Sequence, residues 1–265
     1  MEDNFTRDEL AEAGDWEKYE FQVVENTKRV IQLLHRINAD ATFFVVGKVA
    51  ERHPEIVQMI DKGGFEVASH GYAHEPVDQM TKEEFEEDLK KSISIIEKIT
   101  LKKVKGYRVR SFSITRDTLW AFEILKKNGL QYDSSLTDTE LKFLVSNELN
   151  FSKLLNGLVE IPVCNKKFMG KKWAISGGIV LRLFFFPLYR FLLEHCCAEN
   201  RCRIIYAHVW EFNKDQPKRN VGWLQKIAQS SCTYTTESKI KKFSSKNDFI
   251  SLDSYLKANV QSIES

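Results

Sequence analysis

An apolar leader is missing from this sequence. Met1 to Asp15 is acidic and polar, whereas a secretory signal opens on basic residues followed by an apolar core. Long hydrophobic runs are missing too. The most apolar stretch, Gly177 to Leu193, is interrupted by Arg182, Pro187 and Arg190, so its uncharged runs are too short to span a bilayer. No charge of one sign dominates. Lys and Arg total 39 against 37 Asp and Glu, a formal net charge of +2, which gives no electrostatic reason to expect a nucleic-acid partner. The cysteines form no framework. Cys164, Cys196, Cys197, Cys202 and Cys232 are odd in number, contain no CxxC pair, and include two adjacent residues, which suits neither a disulfide scaffold nor a zinc knuckle. Free thiols in a reducing compartment are the simplest reading, and with the absent leader they give an expectation of a cytoplasmic location.

What is present fits a globular chain. Its 265 residues, 43% hydrophobic, can bury a sizeable core without a disulfide or metal staple. No internal repeat and no long Pro/Gly/Ser linker divides it. The expectation is one domain over 1–265, with a core over about 20–215 and a tail over 216–265 packing on it. The spacing of Val30, Leu33 and Leu34 predicts a helix over Asn26 to Ile37, and Ala41 to Val46 reads as a buried strand. Val49 to Lys62 returns to helical spacing, closed by Gly63-Gly64. Phe65 to Ser69 and Lys105 to Val109 are further strands, separated by an amphipathic helix over Lys82 to Ile99. Thr115 to Asn128 reads as a helix, Leu158 to Val163 and Arg203 to Ala207 as later strands, and Gly177 to Leu193 as one apolar helix. Ser-rich loops around Ser230 and Ser244 precede a short helix over Leu252 to Val260. Alternating strands and helices imply a parallel sheet, whose functional groups gather at the carboxyl ends of strands.

Four segments carry candidate chemistry. Ser69-His70-Gly71-Tyr72-Ala73-His74 follows a predicted strand, and two histidines four apart on one helical turn can point the same way, as zinc ligands do. An isolated HxxxH is more often two unrelated loop histidines, by about two to one; the strand-end position brings the odds to about even. A hydrolytic metal site needs a third ligand, for which Glu2 and Asp3 are candidates, although a solvated terminus explains both as simply. The apolar run Ile204 to Ala207 delivers His208, which is either a satisfied loop residue or a group able to protonate a leaving group. Arg108, at the end of another predicted strand, can pair with a carboxylate or face solvent. Asp133 in Tyr132-Asp133-Ser134-Ser135 has the alternative of a turn or cap residue.

Taken together and in this order, these segments resemble the polysaccharide deacetylase family, carbohydrate esterase family 4, with its chitooligosaccharide-deacetylase homology domain. The similarity runs from about Glu25 to Glu211 through Ala41 to Val45, Glu66 to His74, Gly106 to Thr115, Tyr132 to Ser135 and His208 to Glu211. It is nearest the branch found with bacterial exopolysaccharide gene clusters. The resemblance implies an α/β fold, a distorted, incomplete (β/α) barrel, and a hydrolase that removes N-acetyl groups from an N-acetylated polysaccharide or oligosaccharide. It implies a divalent metal, most often Zn2+, held by His70 and His74 with Asp3, or Glu2 in its place. His208 then matches the general acid, Arg108 an arginine steadying the catalytic aspartate, and Asp133 a carboxylate that orients and charges the acid histidine. Trp210, Arg110 and Tyr72 are the substrate-binding candidates, Trp210 as an aromatic lining the sugar groove. The implied partner is an N-acetylated glycan, with no nucleic acid and no transmembrane segment, and the oligomeric state is left open.

The sequence departs from the family in three places. The family's first strand ends in an acidic motif, Asp-x-Glu-Asp in this branch, and Met1-Glu2-Asp3-Asn4-Phe5 matches only its later part. The first strand is thus expected to be truncated, with the base aspartate falling before Met1. Arg110 stands where the family usually has proline, and either contacts an acidic sugar or points to solvent. Val209 stands where the branch has proline. The missing base keeps open a catalytically impaired protein that binds sugar or metal. A cyclic amide hydrolase of the same fold is a third reading, at about one in ten, because such relatives often alter the histidine pair that is intact here.

Overall fold

The computed structural model describes residues 16–147, 155, 157–168, 171–196, 203–213 and 233–264. At its centre lies a parallel sheet whose spatial order follows the chain: β1 (Thr42–Val45), β2 (Glu66–Ser69), β3 (Gly106–Tyr107), β4 (Tyr132–Asp133) and β5 (Val159–Glu160). The register sets Thr42 against Glu66, Ser69 against Tyr107, Tyr107 against Asp133, and Asp133 against Glu160. Parallel neighbours require crossovers. Helix α1 (Trp16–Arg36) precedes β1, α2 (Gly47–Arg52) and α3 (Pro54–Lys62) join β1 to β2, α4 (Lys82–Thr100) joins β2 to β3, α5 (Trp120–Lys127) joins β3 to β4, and α6 (Asp138–Asn147) joins β4 to β5. An antiparallel hairpin follows, β6 (Asn165–Phe168) and β7 (Lys171–Ala174), then α7 (Gly178–Leu183), α8 (Phe186–Cys196), α9 (Thr233–Ser244) and α10 (Leu252–Glu264).

The two-residue period of β1 assigns the two faces of the sheet. Phe43 and Val45 pack with Val30, Ile56, Phe85 and Leu89 of the surrounding helices, whereas Phe44 packs inward with Tyr132, Ile161 and Tyr206. Helices therefore cover one face and the other looks into an interior, the α/β arrangement expected of an incomplete barrel. Among the described strands the sheet is open, and β1 pairs only with β2. Close packing fixes one glycine: a Cβ on Gly106 would overlap the ring of Tyr132.

The amino ends of the strands are closed by the first turn of α10. Leu252 N donates to Thr42 Oγ1 at 2.8 Å, Asp253 N to Glu66 Oε2 at 3.0 Å, and Ser251 N to Asp40 Oδ2 at 3.0 Å. Glu66 also accepts from Tyr132 Oη at 2.7 Å and Thr42 Oγ1 at 2.5 Å, and Lys105 holds Asp253 at 2.8 Å. Burial pushes the Glu66 carboxyl above its ordinary range, against the pull of those hydrogen bonds.

Several elements differ from expectation for local reasons. Val49 to Lys62 is two helices, because Pro54 restarts the backbone after His53. The apolar helix over Gly177 to Leu193 is also two, broken at Phe184, which is extended at ψ 139, ahead of Pro187. The strands expected over Lys105 to Val109 and Leu158 to Val163 shrink to two residues each, and Arg203 to Ala207 contributes one bridge, Tyr206 to Gly177. The helix expected from Thr115 begins as a 3-10 turn and becomes α-helical at Trp120. Ser244 ends helix α9 where a loop was expected; Ile240 and Phe243 bury one face of that helix. Ser230 lies outside the described residues. Among the described residues no helix is long and apolar enough to cross a membrane.

Candidate active site

His70 leaves the carboxyl end of β2 and His74 follows in a loop, not on a helical turn as their spacing suggested. The loop bends through left-handed backbone at Gly71, φ 72, and again at His74, φ 61. This route still brings the two imidazoles together, with ring centroids 5.0 Å apart. The loop is bonded along its length. His70 N donates to Val45 O at 2.9 Å, and the carbonyls of Gly71 and Tyr72 accept from Gly47 N at 2.7 Å and Lys48 N at 3.1 Å. From α4, the carboxylate of Asp88 accepts from Tyr72 N and Ala73 N, both at 2.7 Å. A Cβ on Gly71 would sit 2.9 Å from that carboxylate, so glycine serves both the bend and the close approach.

The histidine pair fits part of a metal site. His70 is buried, and its Nδ1 lies 2.5 Å from Arg108 O. A carbonyl only accepts, so Nδ1 carries the proton and Nε2 is left as the ligating nitrogen. Two neutral imidazoles about 5 Å apart suit zinc or a similar ion. Among the described residues no group of three His, Cys, Asp or Glu could hold a metal, and both Asp3 and Glu2 lie outside those residues. The third ligand is thus an expectation of the resemblance alone.

Arg108, at the carboxyl end of β3, is buried. Its Nε donates to Ser134 O at 2.9 Å and its Nη2 to Ser134 Oγ at 2.6 Å, while its guanidinium lies 4.4 Å from the Phe44 ring centre. Burial pulls its pKa below the usual arginine value. Among the described residues Arg108 braces the loop after β4 and not an aspartate. Asp133 is fully buried in β4, and its carboxylate accepts from Ser135 Oγ at 2.7 Å and Ser135 N at 3.1 Å. Register sets it beside Glu160. Burial raises both carboxyls, and the charge of Asp133 pushes Glu160 up further.

His208 follows the extended segment that ends at Ala207. The resemblance pairs His208 with Asp133; among the described residues no hydrogen bond joins the two. The imidazole Nδ1 instead lies 2.7 Å from Glu211 Oε1, and that oxygen also accepts His208 N at 3.0 Å. Glu211 is fully buried, and its second oxygen is 2.9 Å from Nε of Arg182, itself 3% exposed. Trp210 was expected in a sugar groove. It is 9% exposed and backs His208, with ring centroids 5.4 Å apart and planes inclined by 17°. The cause is the 3-10 turn Val209–Phe212, which folds Trp210 and Glu211 inward.

A cavity of about 800 Å³ opens between β1 and the extended segment Ile204 to His208. His70, Arg108 and His208 line its carboxyl end, and Leu252 and Tyr255 of α10 line the other. Tyr72 and Arg110, the other substrate-binding expectations, do not line it. Tyr72 donates to Glu51 Oε2 at 2.7 Å and carries Lys91 Nζ 3.6 Å over its ring. Arg110 donates from Nη1 to His74 O at 3.0 Å and lies 4.0 Å from Glu75, so it braces the histidine loop. The supporting residues Asp88, Glu160, Arg182 and Glu211 were not singled out from sequence. Only Glu211, three residues after His208, carried a usable local signal; Asp88 is one acid among five on α4 between Glu83 and Asp88.

Comparison with known proteins gives matches over most of the chain. Residues 15–132 match the family described as polysaccharide deacetylase, and residues 143–257 match a domain of unknown function, DUF3473. A peptidoglycan deacetylase-like protein of Gibberella zeae is 32% identical over 122 residues, 44% of this chain and 35% of that protein. A peptidoglycan deacetylase of Helicobacter pylori is 35% identical over 108 residues, 41% of this chain and 36% of that one. The chain thus spans about a third of the length of these curated relatives. A candidate polysaccharide deacetylase from Mycobacterium smegmatis superposes with a TM-score of 0.66, at 18% identity, over 96% of this chain and 86% of that one, a likeness of fold.

Proposed function

We propose that this chain, whose residues 15–132 match the polysaccharide deacetylase family, hydrolyses the N-acetyl amide of an N-acetylated glycan. Relatives named peptidoglycan deacetylases support a peptidoglycan-like N-acetylated glycan as the substrate class. The observation that carries the reading is the pairing of His70 and His74 beyond the carboxyl end of β2, with His70 and His208 on the wall of one cavity.

In this reading His70 and His74 hold a divalent ion, most suitably Zn2+, with Asp3 or Glu2 as the expected third ligand. When bound, the ion supplies Lewis-acid polarisation of the acetyl carbonyl and acidifies a water. The remaining work falls to the chain. Asp88 and Arg110 hold the loop that presents the two imidazoles. Phe44 and Phe112 exclude water from the inner wall. With Nδ1 turned to Glu211, His208 offers Nε2 to the departing nitrogen as the proton source.

The test begins with metal content of the purified chain beside a His70→Ala/His74→Ala variant. About one equivalent of zinc bound by the first and lost in the second is expected. Acetate release from N-acetylglucosamine oligomers then separates an enzyme from a binder. A folded chain that takes up no zinc overturns the metallohydrolase reading. Zinc uptake without acetate release supports the second reading, a catalytically impaired sugar- or metal-binding protein.

A further inference from the structure

We infer that Glu211, backed by Arg182, orients and charges His208, the part that the family resemblance gives to Asp133. The inference rests on the deacetylase reading for its catalytic consequence and not for its structural content. One oxygen of Glu211 binds both the Nδ1 of His208, at 2.7 Å, and the backbone N–H of the same residue, at 3.0 Å, so ring and main chain are fixed to one atom. The other oxygen lies 2.9 Å from Arg182 Nε. A carboxylate with no exposed surface needs such a counter-charge, and a guanidinium 3% exposed supplies it.

Trp210 completes the arrangement. His208 stacks on its ring, and the Arg182 guanidinium carbon lies 4.9 Å from the ring centre. Both the charge and the plane of the imidazole are thereby set from behind, and His208 lines the cavity. Other polar groups surround this set. Lys239 on α9 donates to the carbonyls of Leu181 and Arg182 at 2.6 and 2.7 Å, Arg29 on α1 donates to Asn213 at 3.2 Å, and Tyr206 meets His208 edge-on at 6.4 Å with Arg108 beyond it. None of these is a second anion. Asp133 binds Ser135 instead.

The chemistry follows from the tautomer. With Nδ1–H directed at Glu211, protonation of the ring occurs at Nε2, and the carboxylate stabilises the resulting imidazolium. When the C–N bond breaks, the nitrogen keeps the bonding pair and gains the Nε2 proton, and His208 is left neutral with Nδ1–H still on Glu211. Glu211 and Arg182 are positioning residues in this step, since neither touches the substrate.

Nitrogen-15 NMR of histidine-labelled chain, followed across pH, tests this without any requirement for turnover. Wild type is expected to show the Nδ1–H tautomer at His208. Glu211→Gln is expected to lower the midpoint of His208 protonation by about one pH unit or more. An unchanged tautomer and midpoint in folded Glu211→Gln overturns the inference, as does a larger shift in Asp133→Asn. Should Glu211→Gln fail to fold because Arg182 has lost its counter-charge, the double variant Glu211→Gln/Arg182→Met removes both charges and gives the same reading. In acetate-release assays Glu211→Gln should lower kcat about 100-fold with KM little changed, and Glu211→Asp should restore part of it. If wild type releases no acetate, the deacetylase reading falls while the NMR result still decides the role of Glu211.

Discussion

The two ends of the parallel sheet use the same kinds of residue for opposite purposes. At the amino end a buried carboxylate, Glu66, is saturated by Thr42, Tyr132 and the first turn of α10, and every one of those bonds holds the chain to itself. At the carboxyl end the carboxylates of Asp88 and Glu211 are also bonded from within, but what they hold, the histidines, faces a cavity. Closure separates the two. A polar cluster whose hydrogen bonds end inside the protein contributes stability, and one that holds an imidazole on a cavity wall is equipped for chemistry.

The comparison breaks if function and stability fail to separate between the ends. The largest effect is expected for His208→Ala, which should lower acetate release about 100- to 10,000-fold while the unfolding free energy moves by about 0.5 kcal/mol or less. A stability loss approaching the catalytic one would make His208 a structural residue. At the other end Glu66→Ala should cost about 2–3 kcal/mol in urea unfolding, by stripping partners from Tyr132 and from α10, with zinc affinity at His70 and His74 unchanged by calorimetry. Weakened zinc binding there would show that the ends are coupled.

Glu160→Gln sharpens the comparison through pH. Burial and the charge of Asp133 raise the Glu160 carboxyl above its ordinary range, so its proton is held more tightly in the folded chain than in the unfolded one. The stability from this group is present below the unfolded value and is lost as pH rises through the folded one. Unfolding of the variant between pH 4 and 8 should therefore fall less steeply than that of wild type, and parallel curves would mean that Glu160 is ionised throughout. The smallest effect is expected for Arg110→Ala, which removes one hydrogen bond to His74 O and should weaken zinc binding about fivefold, roughly 1 kcal/mol. An unchanged affinity would leave Asp88 alone as the brace.

Periodicity carried the framework well. The apolar spacing in α1 and α4 and the alternation of Phe43 and Phe44 mark these elements because each buries one face against neighbours close in sequence. Short strands were overcalled, since Gly106-Tyr107 and Val159-Glu160 are defined by register with partners far along the chain. The site was legible as residue types and less so as geometry. The spacing of His70 and His74 suggested their proximity through a helix, whereas the structure achieves it by two left-handed bends. The bond of His208 to Glu211 is set by the inward turn at Val209–Phe212, whereas Asp133 was named from the family resemblance. Trp210, Tyr72 and Arg110 were placed in the groove because aromatic and cationic side chains suit sugars, but each is held by a neighbour distant in sequence or by a tight local turn.

The clamp on Glu66 also dictates an order of events. Its contacts join residues 251–253 to Asp40, Thr42 and Glu66 across separations of 211, 210 and 187 positions. A ribosome releases residues 40–66 long before residues 251–253, so the amino end of this sheet must wait, its carboxylates hydrated, until nearly the whole sequence shown has emerged. Closing so long a loop is an entropic toll collected before any of these bonds form, which makes this the slow step of refolding and places the helices around β1 to β4 ahead of it.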